Sequence, residues 1–210
     1  MSTLNTATAP TLAIQPPQPL SPPSDWLLRW AHLIPAGGRA LDVACGSGRH
    51  LYWLQSRGFA LTGVDRDPAA LANLAPLMAA GAEIVDADIE NGPWPFAGRQ
   101  FEAVLVTHYL WRARLADIAA AVAPGGVLLY ETFALGHETV GRPSRPDFLL
   151  APGELLQVAA KAGLRTIAYE DGFEESPGPR FVQRIAAVRP DGPATGTPAR
   201  HALKSPLPNQ

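Results

Sequence analysis

The sequence predicts an α/β protein built on a doubly wound, Rossmann-like sheet of seven strands, mostly parallel with an antiparallel terminal strand. Three observations predict it. Apolar, strand-like runs alternate with helix-like stretches through the middle of the chain. The early runs are continuously apolar, as strands covered on both faces must be. The last two runs, LRTIAYED and RFVQRIAAVR, are joined only by GFEESPGP, and so short a connection joins antiparallel neighbours.

The elements follow in order. SDWLLRWAHLI opens the domain as a short amphipathic helix, with Ser24 as N-cap and Trp26, Leu27, Trp30 and Leu33 on one side. The strand-like runs are RALDVAC, ALTGVD, AEIVDAD, FEAVLVTHY and GGVLLYETF, then the final pair. Helical stretches separate most of them: GRHLYWLQSRG, DPAALANLAPLMAAG, WRARLADIAAAVAPG and APGELLQVAAKAG. Gly58, Gly81 and Gly163 sit where helices should stop, and Pro68 sits near a first turn, where its missing N–H costs little.

Length and composition fit one domain with a real core: 210 residues, 47% hydrophobic. The expected boundaries are a disordered Pro-rich tail over 1–22, a folded domain over 23–189 and a second disordered tail over 190–210, because the proline-dense ends bury little apolar surface. A net charge of −2 and a pI near 6.2 lack the basic footprint of bulk electrostatic nucleic-acid binding. Arg142, Arg145, Arg180 and Arg184 could still converge locally, although solvated surface arginines are the commoner case. One cysteine, Cys45, gives neither a disulfide framework nor a Cys-rich metal cluster, and no other ligand spacing suggests a metal. The N-terminus has neither the basic nor the apolar region of a secretory signal. No apolar run approaches the ~20 residues of a membrane span, so a cytoplasmic protein is the expectation.

The chemistry concentrates after the first strand, in RALDVACGSGRHLYWL. In an open α/β sheet, ligands bind beyond the carboxyl ends of the strands where the strand order reverses. Small residues there, with Gly46 and Gly48, let a ligand lie against the backbone. A P-loop would need Gly-Lys-Ser/Thr, and the chain has Gly48-Arg49-His50. A dinucleotide fingerprint would want a third glycine where Leu51 stands. What remains is a ligand with a carboxylate and an ammonium in place of phosphates, with Asp42 facing the ammonium. Asp65 ends the second strand and is placed to accept from the hydroxyls of an unmodified ribose. Asp88, ending the third, could accept from an adenine amino group while Ile89 packs on the ring, and Asp86 competes for that role.

LDVACGSGRH, GVDRD, DADIE and APGGVLLYETF together resemble the successive motifs of class I S-adenosylmethionine-dependent methyltransferases, over roughly residues 24–189. TFALGHETVGRPSRPDFLLAPGELL further resembles small bacterial methyltransferases of the tellurite-resistance type. The resemblance implies S-adenosylmethionine as cofactor. It implies that Asp42, Gly46 and Gly48 hold the methionine end, Asp65 the ribose and Asp88 the adenine. Ala44, Ser47, Arg66, Ile89 and Thr107 complete the expected cofactor set.

Residues beside the methyl group are expected at the end of strand four, in VTHYLWR. His108 and Tyr109 are the catalytic candidates, His108 because it titrates near neutral pH. An acceptor thiolate or anion would need no base. The segment lacks the Asn/Asp-Pro-Pro-Tyr/Phe pattern of amino-group methyltransferases. The one long insertion, 134–151, reads as a lid carrying His137, Arg142 and Arg145 for a polar or anionic acceptor. Trp111 and Phe148 read as packing residues, and Cys45 as a small packing residue rather than a nucleophile.

The functional expectation is methyl transfer to a small or medium-sized acceptor, by a monomer or weak dimer without a membrane partner. An open cleft would also admit an RNA base or a protein side chain. The rival reading is a non-catalytic module that senses the cofactor or acts as a scaffold.

Overall fold

In the computed structural model, residues 13–192 and 199–203 are described. Seven strands form one sheet: β1 (Arg39–Val43), β2 (Ala60–Asp65), β3 (Glu83–Asp86), β4 (Phe101–Thr107), β5 (Val122–Phe133), β6 (Arg165–Glu174) and β7 (Arg180–Val188). Their spatial order is β3-β2-β1-β4-β5-β7-β6. The first five are parallel, while β7 runs antiparallel to both β5 and β6. The terminal hairpin expected from the sequence is present. Its second strand inserts between β5 and β6, a placement that connection length alone does not determine.

The helices are α1 (Asp25–Trp30), α2 (Arg49–Gln55), α3 (Pro68–Ala72), α4 (Ala75–Ala79), α5 (Leu115–Ala120) and α6 (Glu154–Lys161). The Ser24 hydroxyl accepts from the Leu27 N–H and caps α1, whose Trp26, Leu27 and Trp30 are buried. The stretch 67–81, read as one helix, is two. Pro76 cannot donate to a carbonyl one turn back, and its ring would crowd that carbonyl, so the helix breaks at Asn73 and Leu74.

The core lies on both faces of the sheet. Leu41, Val43, Val104 and Leu128 point to one side, with α5 and α6. Ala40, Leu105, Val127 and Leu129 point to the other, with α1, α2 and α4. Successive strand residues face opposite layers, so continuous apolar runs were required.

The tails are only partly described: 1–12, 193–198 and 204–210 lie outside the described residues. Residues 13–22, expected to be a disordered tail, lie against the domain. Ile14 N–H donates to Gln55 Oε1 at 3.0 Å, Gln18 N–H donates to Asn73 Oδ1 at 2.9 Å, and Ile14 and Leu20 pack on the core. At the other end, the carbonyls of Ala199 and Ala202 contact Arg165 and His32.

Candidate active site

The register brings the carboxyl ends of the five parallel strands to one edge: Val43 lies beside Val64 and Val106, Asp65 beside Asp86, and Thr107 beside Glu131. Two cavities open there, and both touch Ala44.

The first, about 540 Å3, is lined by Asp42, Ala44–Gly48, Arg49, His50, Thr107 and His108, with Pro19–Ser21 contributed by the N-terminal segment. Gly46 has φ +51°, and no atom lies within 4 Å of where its Cβ would be. The loop therefore presents bare main chain to the cavity. Gly48 has φ +82°, and a Cβ there would stand 2.2 Å from Leu74. Asp42 is 1% exposed, and its Oδ2 is buried without a hydrogen-bond partner. A buried carboxylate oxygen left unpaired is costly, and the nearest donor to this one is the ring of His50. His50 sits beneath it. The Ser24 backbone N–H donates to His50 Nε2 at 3.3 Å, which leaves the ring proton on Nδ1, 3.5 Å from Asp42 Oδ2. The sequence reading missed His50. The signal was available, since an apolar helix face places a histidine directly behind the Gly-x-Gly turn.

The second cavity, about 210 Å3, is lined by Val64, Asp65, Arg66, Ala87–Glu90, Ala44 and Tyr109. Asp65 Oδ2 accepts from the Gly46 N–H at 2.8 Å, and Oδ1 accepts from the Arg66 and Asp67 N–H groups. The acid expected to meet a ribose thus also ties the tip of β2 to the glycine loop. Three of its roughly four acceptor sites are thus taken. Asp88 is more fully committed. Its oxygens accept from the Glu90 and Asn91 N–H groups and from the Asn91 side-chain amide. The Asn91 hydrogen bond chiefly holds its pKa below the usual carboxylate range. Asp88 lines the cavity as the cap of its own turn; Asp86 is exposed and lines neither cavity. The buried polar atom without a partner on this side is Tyr109 Oη. Burial pushes its pKa up, and Glu90 adds to the rise. Arg66 pairs with Glu90 at 2.9 Å, and Ile89 is buried beneath the cavity.

The expected catalytic pair is divided: His108 lines the first cavity and Tyr109 the second. Adjacent residues leaving a strand diverge, and here the turn is sharp. His108 has φ +55°, and the other non-glycine residue at positive φ is Ala44. Both described cases of left-handed strain in non-glycine residues therefore line the site. The His108 ring stacks on Phe133 with centroids 5.0 Å apart, and Phe133 stacks on His137 at 4.2 Å. More than a third of His108 remains exposed at the cavity mouth. Surrounding protein displaces enough solvent to bring its pKa down to about 4, against the pull of Glu131 and with help from Arg49 and Arg180. The ring is neutral at physiological pH.

The acceptor-side candidates do not share a cavity. His137 is 4% exposed; its Nε2–H donates to the Arg142 carbonyl at 3.0 Å, so the ring anchors its loop from within. Arg142 is exposed. Arg145 pairs with Asp147 and lines a third hollow with Trp111 and Phe148. The insertion is also more firmly held than a lid needs. Leu135 N–H donates to the Leu150 carbonyl, Leu150 N–H donates to the Phe133 carbonyl, and Arg112 donates to the carbonyls of Asp147 and Leu149 while pairing with Glu154. Burial pushes the Cys45 thiol pKa up, with Asp42 and Asp65 adding to it, consistent with a packing residue. A further hollow of about 910 Å3 lies between α5 and α6 and includes no residue of the glycine loop.

Among the described residues, no helix is long and apolar enough to cross a membrane, and no cluster of His, Cys, Asp and Glu could hold a metal ion.

Residues 40–126 match the family described as a methyltransferase domain. No curated protein matches the sequence. Among solved structures, TehB from Haemophilus influenzae superposes with a TM-score of 0.60 at 20% identity, covering 76% of this chain and 60% of TehB. An S-adenosylmethionine-dependent methyltransferase from Mesorhizobium loti gives 0.59 at 17% identity, covering 79% of this chain and 98% of that one. The glycopeptide N-methyltransferase MtfA in complex with S-adenosyl-L-homocysteine gives 0.56 at 17% identity, covering 81% and 91%. These likenesses establish the sheet order and its wrapping as a shared fold. The family match runs from β1 to the start of β5, and beyond it the fold is the one these methyltransferase structures share.

Proposed function

We propose that this chain transfers the methyl group of S-adenosylmethionine to a small or medium-sized acceptor that enters beside His108. The observation that carries the reading is the pair of cavities meeting at Ala44, one with an unpaired buried carboxylate oxygen on Asp42, the other with an unpaired hydroxyl on Tyr109. An amino-acid-bearing nucleoside fits that division. Asp42 Oδ2 would receive the ammonium, the main chain at Gly46 would carry the methionine end, Asp65 would meet the ribose, and Ile89 and Tyr109 would flank the base. The bound cofactor supplies an activated methyl group on a sulfonium.

The protein's own task is to align the acceptor and limit water. Thr107 ends β4 and His108 follows it on the wall of the first cavity. His108, neutral and fixed between its strained backbone and the Phe133 ring, would accept a hydrogen bond from an acceptor N–H or O–H, and its lowered pKa makes it a weaker base than the near-neutral histidine expected from the sequence. No separate substrate domain is inserted between the strands, which favours a compact acceptor.

The deciding experiment supplies radiolabelled S-adenosylmethionine and cell extract to the purified chain. Label in the small-molecule fraction is the expected result. Label in RNA or protein would redirect the acceptor. Cofactor binding with no label in any fraction would leave the chain a binding module and end the catalytic reading.

A further inference from the structure

Where the helix breaks, facing the N-terminal segment, lies Asn73, which the site reading does not employ. It is 5% exposed, and every polar group of its side chain is in use. Oδ1 accepts from the Gln18 N–H at 2.9 Å, and Nδ2 donates to the Ser47 carbonyl at 3.2 Å. The amide orientation is fixed by chemistry, because Gln18 offers only a donor and Ser47 only an acceptor. The Asn73 carbonyl, freed where Pro76 interrupts the helix, accepts from the Tyr52 hydroxyl at 2.6 Å. One buried side chain therefore ties two segments that are 29 residues apart in sequence: the strap at residue 18 and the glycine loop at residue 47.

The strap makes a wall of the same cavity. Pro19, Leu20 and Ser21 line it together with Gly46, Ser47 and Gly48. Farther along, the Arg49 guanidinium donates to the Pro22 carbonyl, and the Ser24 N–H reaches His50.

We infer that Asn73 is a positioning residue that couples the strap to the glycine loop, so that cofactor affinity depends on the strap being docked. The inference rests on the reading of that loop as the cofactor's floor. A ligand in this cavity would lie against both the loop and the strap. The bridging amide holds both in the closed arrangement.

The test measures S-adenosyl-L-homocysteine binding by calorimetry on the full chain and on Asn73→Ala, Gln18→Pro and the double variant, with a thermal melt of each. Gln18 is exposed, and proline there removes the donated N–H without touching the core. Each single variant is expected to weaken binding about three- to tenfold, the worth of one or two hydrogen bonds. The double variant should be no weaker than Asn73→Ala alone, because both changes break the same link. Should Asn73→Ala lose its cooperative melt, Gln18→Pro decides alone. Native binding with the folded single variants within twofold of it overturns the inference. Independent, multiplicative losses overturn it as well. Absence of binding by the native chain overturns the cofactor reading and this inference together.

Discussion

The two halves of the strand-end edge are built differently. On the β1–β2–β3 side, carboxylates accept from backbone N–H groups close in sequence: Asp65 from Arg66 and Asp67, Asp88 from Glu90 and Asn91. On the β5–β7–β6 side, carboxylates meet arginines across strands. Arg184 spans Glu131, Glu170 and Glu174, while Arg29 reaches Glu170 and Arg180 reaches Glu174. The first half is an arrangement of loops around a cradle, set by short-range geometry. The second is a cross-strand charge ladder with Glu131 and Arg184 buried in it. Such a ladder holds register, because removing Arg184 would strand the buried Glu131 carboxylate. Under the proposed function, the first half would hold the cofactor and the second would be the frame against which an acceptor is presented.

The sharpest way to break this division is His108→Asn. Asparagine tolerates the positive φ at this position, so the backbone should persist. Methyl transfer is expected to fall about 100-fold or more, with S-adenosyl-L-homocysteine affinity held within about twofold. Paired kinetics and calorimetry check it; an equal loss in both would place His108 on the cofactor side. Asp42→Asn comes next. Loss of the charge facing the ammonium should weaken cofactor binding by about 10- to 100-fold in calorimetry. Asp65→Ala should cost about tenfold, because the loop at Gly46 loses its acceptor along with the ribose.

A smaller effect concerns acid stability. The folded chain holds His108 near pKa 4, whereas the unfolded chain takes that proton near 6.5. Protonation between those values favours unfolding, so stability falls as pH drops from about 6.5 toward 4. His108→Asn should flatten that part of a melting-temperature profile. Glu102, drawn down to about 2 chiefly by its hydrogen bonds from Arg39, acts in a lower window: its contribution is full above 4.5 and lost toward pH 2. The smallest expected change is Arg145→Ala. The side chain is 71% exposed and outside both cavities, so cofactor affinity should move less than twofold.

The same contrast explains what could be read from the chain. Asp42, Gly46, Gly48 and Asp65 were legible because each stands at a strand end or turn whose meaning is local. The strand alternation and terminal hairpin were legible for the same reason. His50 facing Asp42, Tyr109 turning to the second cavity and β7 entering between β5 and β6 depend on contacts fixed only by the assembled sheet. The split at Asn73 was readable in principle, since Pro76 stands in the sequence. A continuous apolar pattern masked it. The insertion looked like a lid because it is long and polar. The Arg112 anchor that pins it comes from another element, 35 residues away at Asp147.

Ala44 carries a consequence for inhibitor chemistry. Ala44 lines both of two unequal chambers. An amino acid and a nucleoside could each settle in its own chamber as separate weak fragments. Joining them past Ala44 with a short tether would convert the second docking event into an intramolecular one, multiplying their affinities rather than averaging them. A bulkier residue at position 44 would crowd the tether, leaving each fragment its chamber while shutting out the tethered pair.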